Sequence, residues 1–343
     1  MAKEYLITGG AGFIGSNYVS RLLSRNESVT IYDNLSRAGS RNNIEWLRNK
    51  HGKQSFRLIE ADVRDSLSVR NAVANIDVIV HLAGQVAVTT SVSNPREDFE
   101  INALGTFNLL DAARECETPP VFLYASTNKV YGGMDDIQVA LKNDRYQYTY
   151  LPNGISETQC LDFHSPYGCS KGAGDQYVRD YFRIFNIPSI VLRQSCIYGP
   201  RQFGIEDQGW LAWFIIAAVL GRDITIYGDG KQVRDVLYVE DLLDMYDLVI
   251  NNIDVSAGKI YNVGGGPNNT ISVWSEFKPI LEKLLGSKIT AEFKDWRPGD
   301  QKVYISDISK AQKNMGWIPK HDVHIGIEKL YNWVSMNKKL FQG

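Results

Sequence analysis

Tyr167 and Lys171, in the stretch "SPYGCSKGAGDQY", stand at i and i+4. At that spacing both side chains share one face of a helix. A phenol titrates near ~10 in water, and an ammonium beside it favours the phenolate, so the pair can serve as a general base. The same pair occurs by chance in many helices and means little without a partner. "STNKVYG", from Ser126 to Gly132, offers hydroxyls at the end of an apolar run, with Asn128 and Lys129 following and no carboxylate. Which chemistry uses hydroxyls there and no acid depends on what surrounds them.

A third stretch, "YLITGGAGFIGS", sets Gly9, Gly12 and Gly15 after a strand and at the opening of a helix, with Phe13 and Ile14 as its first residues. Such glycines allow a tight turn, close backbone approach to a pyrophosphate, and close packing of helix on strand. Asp33 ends the next apolar run, "SVTIYD", where a carboxylate accepts ribose hydroxyls. It would repel a 2′-phosphate, which favours NAD over NADP. Asn34 stands beside it, and Arg37 softens that preference. "EADVRD" adds Asp62 and Val63, as adenine contacts or as an ordinary strand end.

The elements that must position these residues show in the hydrophobic pattern. "EYLIT", "SVTIY", "SFRLIE", "IDVIVHLA", "VFLYAS" and "SIVLR" are apolar runs of strand length, separated by helical periodicity such as 13–24 and 101–114. Strands apolar on both faces that alternate with helices call for an α/β fold with a doubly wound parallel Rossmann sheet. After Arg193 the rhythm loosens, with turn-rich "GPRQFG", "YGDG", "GGGPNNT" and "WRPGD" between helical stretches near 241–251, 273–285 and 324–337. The expected division is a Rossmann domain over 1–193 and a smaller mixed α/β C-terminal substrate lobe over 194–343, with the chain free to cross more than once.

The 343 residues exceed what one core usually serves. A net charge of −2 without a basic block favours neither nucleic acid nor an anionic membrane surface as partner. The longest apolar run, Leu211 to Leu220, falls short of the ~20 residues that span a bilayer, and "MAKEYLITGG" lacks an apolar signal region, so a cytoplasmic location is expected. Four cysteines without C-x-x-C spacing are expected as reduced core residues, and five scattered histidines suggest no metal site.

Glycine cradle, strand-end hydroxyls and Tyr-x-x-x-Lys together resemble the extended short-chain dehydrogenases, over nearly the whole chain. The resemblance implies a bound NAD and a Thr, Tyr and Lys acting on one substrate hydroxyl. It selects Thr127 as the working hydroxyl, with Ser126 and Asn128 beside it at the substrate. It also implies that "LAGQVA" lines the cofactor through Leu82, Ala83, Gly84 and Gln85, with Gln85 near the sugar as well. Asn102 in "NALGT" is either part of that lining or a helix-packing hydrogen bond. Dehydratases of this family carry Asp-Glu directly after the Thr, because eliminating water takes an acid and a base. Asn128-Lys129 cannot supply that couple, which leaves oxidation and re-reduction, and so epimerisation.

"STNKVYG", "LDFHSPYGCSKGA", "DQGWLAWF" and "GKQVRDVL" look like the wording of the CDP-paratose 2-epimerase subfamily, also called CDP-tyvelose epimerases. That similarity implies inversion at C2 of the hexose in a CDP-sugar, CDP-paratose or CDP-glucose, through a 2-keto intermediate. UDP-sugar 4-epimerisation is the second reading and dehydration a third. A dinucleotide-sensing binding protein is a fourth, against which the complete Tyr167 and Lys171 pair argues. Diphosphate binding calls for arginine forks. Arg234 and Arg297 are the candidates, unless they pair with Asp235 and Asp300, and Arg201 is a third. Gln208 and His164 are candidate sugar contacts, and Trp210 and Trp213 are core or sugar platform. The family resemblance further implies a homodimer or homotetramer, built through two helices per subunit.

Overall fold

The computed structural model describes residues 2–297 and 300–342. The chain divides into two compact units. The first holds the chain up to Val130 with Ser165–Arg193 and Met245–Tyr261; the second holds Tyr131–His164, Gln194–Asp244 and the chain from Asn262 onward. A boundary does fall after Arg193, and the chain also changes unit after Val130, His164, Asp244 and Tyr261.

Seven strands make the central sheet. In chain order they are Glu4–Thr8, Ser28–Asp33, Arg57–Glu60, Val78–His81, Val121–Thr127, Ser189–Gln194 and Ile260–Val263. Across the sheet they run seventh, sixth, fifth, fourth, first, second, third. The first five pair in parallel. The first six are the six apolar runs of the sequence. The seventh, "IYNV", was not anticipated, because four residues between turn-rich stretches carry too little pattern. After the third strand the chain returns to the other side of the first, so the order reverses between the first and fourth strands. In such sheets ligands bind beyond the carboxyl ends at that reversal. The segments Gly9–Gly12 and Leu82–Ala87 start there.

Helices cover the sheet, whose fourth and sixth strands are buried along their full length. Leu6, Ile79, Phe122 and Tyr124 from the strands pack with Leu110 and Val178 from helices Gly105–Arg114 and Ser165–Phe185. The latter helix buries Tyr167, Ser170, Lys171, Gly174, Asp175 and Val178 along one stripe. Gly174 lets it approach the fifth strand, since a Cβ there would lie 2.4 Å from the Tyr124 hydroxyl. A buried ion pair then fixes it: Arg193 donates from Nε and Nη2 to the two oxygens of Asp175, each at 2.9 Å, and Ser126 Oγ donates to the same carboxylate at 2.6 Å. Helix, fifth strand and sixth strand meet at one carboxylate.

The second unit is a mixed α/β assembly of small sheets. Strand Val233–Asp235 lies between Thr270–Ser272, antiparallel, and Val303–Tyr304, parallel. Thr225–Tyr227 pairs in parallel with Glu292–Lys294, and Val139–Lys142 forms a hairpin with Arg145–Tyr148. Helix Trp210–Leu220 is apolar on all sides and packs in a core with Phe277, Leu281, Ile327 and Leu330. The expected helices are present as Val239–Asn251, Phe277–Leu285 and Val323–Met336. The cysteines are free; Cys116 and Cys196 pack against the cores as expected, but the expectation is corrected for Cys160 and Cys169. Cys160 and Cys169 are exposed and the other two half-buried, because position 169 falls outside the buried stripe of its helix.

The Arg193 to Asp175 pair generates a stability prediction. Arg193→Met leaves a buried carboxylate without its cation, which should lower the unfolding free energy by about 3–5 kcal/mol. Urea titration measures it, and a loss below about 1 kcal/mol would show that the pair is dispensable.

Candidate active site

The cradle begins where the first strand ends. Gly9 has φ +69°, and a Cβ there would lie 2.7 Å from the Ala83 backbone nitrogen. At Gly15 a Cβ would meet the Gly9 carbonyl oxygen at 2.2 Å, so helix Phe13–Leu23 packs against the turn only as glycine. Gly12 is the N-cap and offers no side chain, which leaves the first-turn N–H groups of the helix for an anion. Phe13 and Ile14 are half-buried in that turn. Asp33 closes the second strand: its carboxylate accepts the Ala11 N–H at 3.0 Å and the Leu35 N–H at 2.8 Å. Burial raises its pKa, and those two bonds oppose the rise. These features fit a dinucleotide, with a pyrophosphate at the glycines and a ribose at Asp33.

Arg37 is exposed near Asp33. Asp62 is taken up by Arg64, which binds it through Nε at 2.9 Å and Nη2 at 2.8 Å, and by Asn34 Nδ2 at 2.9 Å. The Arg64 bond is the main reason its pKa falls to about 2. Val63 is buried, in the core with Leu109 and Leu110.

After the fourth strand, Leu82, Ala83, Gly84 and Gln85 are half-buried. Asn102 braces this loop: it accepts the Gln85 N–H at 3.0 Å and donates to the Gln85 carbonyl at 3.0 Å. It lies in a π-helical turn, Glu100–Leu104, and is itself buried. The Gln85 side chain donates to the Ala87 carbonyl at 2.7 Å and to Asp98 at 3.1 Å, and accepts the Ala87 N–H. Both ends of that amide thus work within the loop.

Thr127, Tyr167 and Lys171 are brought together in the first unit, 7%, 8% and 6% exposed. Thr127 Oγ1 accepts the Lys129 N–H at 3.2 Å and donates to Asn128 Oδ1 at 3.3 Å. Thr127 lies close enough to the Tyr167 phenol to favour its ionised form. Ser126 is drawn away from that group, because its hydroxyl donates into Asp175. Lys171 Nζ lies 4.2 Å above the Tyr124 ring. Burial brings its pKa down to about 7, against the pull of Asp175 and Asp98. The expectation that an ammonium brings the phenol down is corrected here. Burial dominates and raises the Tyr167 pKa; Thr127 lowers it, Asp98 raises it, and Arg37 lowers it.

The remaining candidates fall in the second unit. Arg234 is half-buried on its strand and donates to the Val233 carbonyl at 2.9 Å. Arg297 pairs with Asp207 at 2.8 Å, not with Asp300, and its guanidinium lies 3.8 Å over the Tyr227 ring. Arg201 lies 5.5 Å over Trp333 at φ +67°, and burial brings its pKa to about 10. Gln208 exchanges backbone hydrogen bonds with Ile205 in a tight turn. Trp210 and Trp213 pack on the core, and His164 is exposed.

Sequence reasoning missed the polar layer behind the pair. Thr8, His81 and Thr106 form a buried chain, with His81 Nδ1 2.7 Å from Thr8 Oγ1 and Nε2 3.0 Å from Thr106 Oγ1. Burial holds that imidazole neutral. Asp98 and Asp175 are buried as well. The one available signal was spacing, since Asp175 and Asp98 stand at i+4 from Lys171 and i−4 from Asn102.

A family model described as "GDP-mannose 4,6 dehydratase" matches residues 6–330. The chain is 42% identical, over 97% of its length and 99% of the relative's, to "CDP-paratose 2-epimerase" of Salmonella typhi. Among solved structures it superposes on DesIV, a dTDP-glucose 4,6-dehydratase from Streptomyces venezuelae with NAD and TYD bound (TM-score 0.84, 27% identity, 99% of both chains). It also superposes on a UDP-glucose 4-epimerase from Thermus thermophilus in complex with NAD (TM-score 0.80, 30% identity, 96% of this chain and 98% of that one). Cradle, strand-end hydroxyl and Tyr-Lys helix thus sit in a fold whose family model spans almost the whole chain, and the protein belongs to the NAD-dependent epimerase and dehydratase family of extended short-chain dehydrogenases.

Proposed function

We propose that this protein inverts C2 of the hexose in a CDP-sugar, by oxidation to the 2-keto sugar and reduction on its opposite face. At the coarser level it is an NAD-dependent nucleotide-sugar epimerase, an isomerase with no net redox change. The observation that carries the reading is the buried set Thr127, Tyr167 and Lys171, flanked by the neutral Asn128 and the cationic Lys129 where elimination would need an acid pair.

Bound NAD supplies the acceptor and donor of hydride and, as the oxidised ring, a positive charge that favours the phenolate. Tyr167 takes the proton from the C2 hydroxyl as the C2 hydrogen leaves as hydride. Thr127 hydrogen-bonds the same oxygen and the phenol, which keeps the proton's path fixed. Lys171, buried beside the Tyr124 ring on the same helix face as Tyr167, is proposed to hold the nicotinamide ribose. Tyr167 would return the same proton to the C2 oxygen when the keto sugar is reduced on its opposite face, so the cycle leaves no net change in protons or electrons. Asn128 can hydrogen-bond a sugar hydroxyl without eliminating it.

The CDP-sugar, CDP-paratose or CDP-glucose, is supported by the 42% identical relative named for that reaction. Arg234, Arg297 and Arg201 are proposed for the diphosphate, and Gln208 and His164 for the sugar. UDP-sugar 4-epimerisation is the second reading, favoured by the likeness to the Thermus thermophilus enzyme. Among the described residues no helix is long and apolar enough to cross a membrane. A cytoplasmic location is proposed with it. Homodimer formation is proposed through the first unit, where Leu104, Phe107, Tyr177 and Ile184 stay exposed on two helices and the rings of Phe107 and Tyr177 meet edge to face at 6.0 Å.

Incubation with CDP-glucose and with UDP-glucose, followed by ¹³C NMR, should give the C2 epimer of the CDP-sugar alone; inversion only at C4 would overturn the assignment. Tyr167→Phe should keep the melting temperature and the bound NAD while kcat falls by about 10²–10⁴. In sedimentation the protein should run as a dimer and Phe107→Glu as a monomer; a monomeric native protein refutes that part.

A further inference from the structure

Behind the reacting pair lies a carboxylate with no part in the steps above. Asp98, on the short helix Pro95–Phe99, is fully buried. Its Oδ2 accepts Ser170 Oγ at 2.5 Å, and its Oδ1 accepts Asn102 Nδ2 and Gln85 Nε2, each at 3.1 Å. The donors come from three places: the helix of Tyr167 and Lys171, the π-helical turn, and the loop after the fourth strand. All three are neutral. Asp175, the other carboxylate acting on Lys171, is already met by Arg193 through two bonds of 2.9 Å. Burial raises the Asp98 pKa, and the Ser170 bond, the charge of Lys171 and the Asn102 and Gln85 bonds oppose the rise, so carboxylate and ammonium favour each other's charged form.

We propose that Asp98 is a positioning residue of the reaction: its carboxylate ties the helix of Tyr167 and Lys171 to the loop 82–87, and its charge, with that of Asp175, faces the Lys171 side chain. The proposal rests on the reading of Tyr167 and Lys171 as the reacting pair. The groups facing Lys171 are Asp98, Asp175, the Tyr124 ring and the neutral His81. Those acting on Tyr167 are Thr127, Asp98 and Arg37. Removing the Asp98 charge takes an attraction from Lys171 and a repulsion from Tyr167, so both groups lose their protons at lower pH. Activity needs the phenolate and the ammonium together, so the two limbs of the profile report these two titrations. Both limbs must therefore move the same way, toward acid. A role confined to packing would lower the profile without moving it.

Asp98→Asn is nearly isosteric. Its Oδ1 can keep Asn102 and Gln85, and the Ser170 hydroxyl can turn to accept from the new amide. The pH profile of kcat/KM should shift toward acid on both limbs by about one pH unit, and Asp98→Glu should restore its position. Tyrosinate absorbance, taken as the difference between Asp98→Asn and the same variant carrying Tyr167→Phe, should show the phenol ionising at lower pH without turnover. If Asp98→Asn does not fold, Asp98→Ser removes the same charge, keeps a hydroxyl toward Ser170 and Asn102, and should shift both limbs the same way. Limbs that stay in place, or move toward alkali, overturn the proposal. Should the unmodified enzyme fail to epimerise any nucleotide sugar, the functional reading falls instead, and the tyrosinate difference still decides the role of Asp98.

Discussion

An ammonium inside a protein either meets a carboxylate or gives up its proton, and Lys171 is held at that balance. Burial drags its pKa to about 7, and two buried carboxylates pull the other way. Much of the first unit can be understood as the means of keeping those carboxylates ionised. Asp175 is held by Arg193 and Ser126, which binds the helix Ser165–Phe185 to the fifth and sixth strands. Asp98 is held by Ser170, Asn102 and Gln85, which binds the same helix to the loop after the fourth strand. The interactions that charge the lysine are the ones that fix where it stands.

The sheet decides what those groups face. Its order reverses between the first and fourth strands, and the glycine turn and the loop 82–87 leave the sheet from those two strands. Gly9 has room only for hydrogen beside Ala83, so the two segments touch backbone to backbone. Because Asn102 bonds Gln85, Asp98 and Ser170 together, the loop 82–87 and the Tyr167 and Lys171 face of helix Ser165–Phe185 are one hydrogen-bonded body. A dinucleotide laid along the glycines would meet residues already fixed by that body.

Local pattern made the frame legible. Six strands, the glycine turn, Asp33 and the i, i+4 spacing of Tyr167 and Lys171 each follow from short-range sequence. The seventh strand was not legible, because Ile260–Val263 joins the sheet only through tertiary pairing. Ser126 beside Thr127 resembles a second substrate hydroxyl, yet its proton goes to Asp175, a partner 49 residues along the chain that no local pattern names. The direction of the Tyr167 pKa was also out of reach. It depends on desolvation, and no spacing of charged residues reports how deeply a phenol is buried. Asp98 and Asp175 look like ordinary helix acids until the fold buries them.

The way the chain is divided bears on how such an enzyme can change. Thr127 and Tyr167 are separated by an excursion, Tyr131–His164, that belongs to the second unit, yet both residues and Lys171 lie in the first. His164, Arg201, Gln208, Arg234 and Arg297 all lie in the second. Proton transfer therefore depends on one set of packing interactions and the proposed selection of sugar and nucleotide on another. The charges around Lys171 belong to the first unit, where Asp98, Asp175 and Arg193 lie with it.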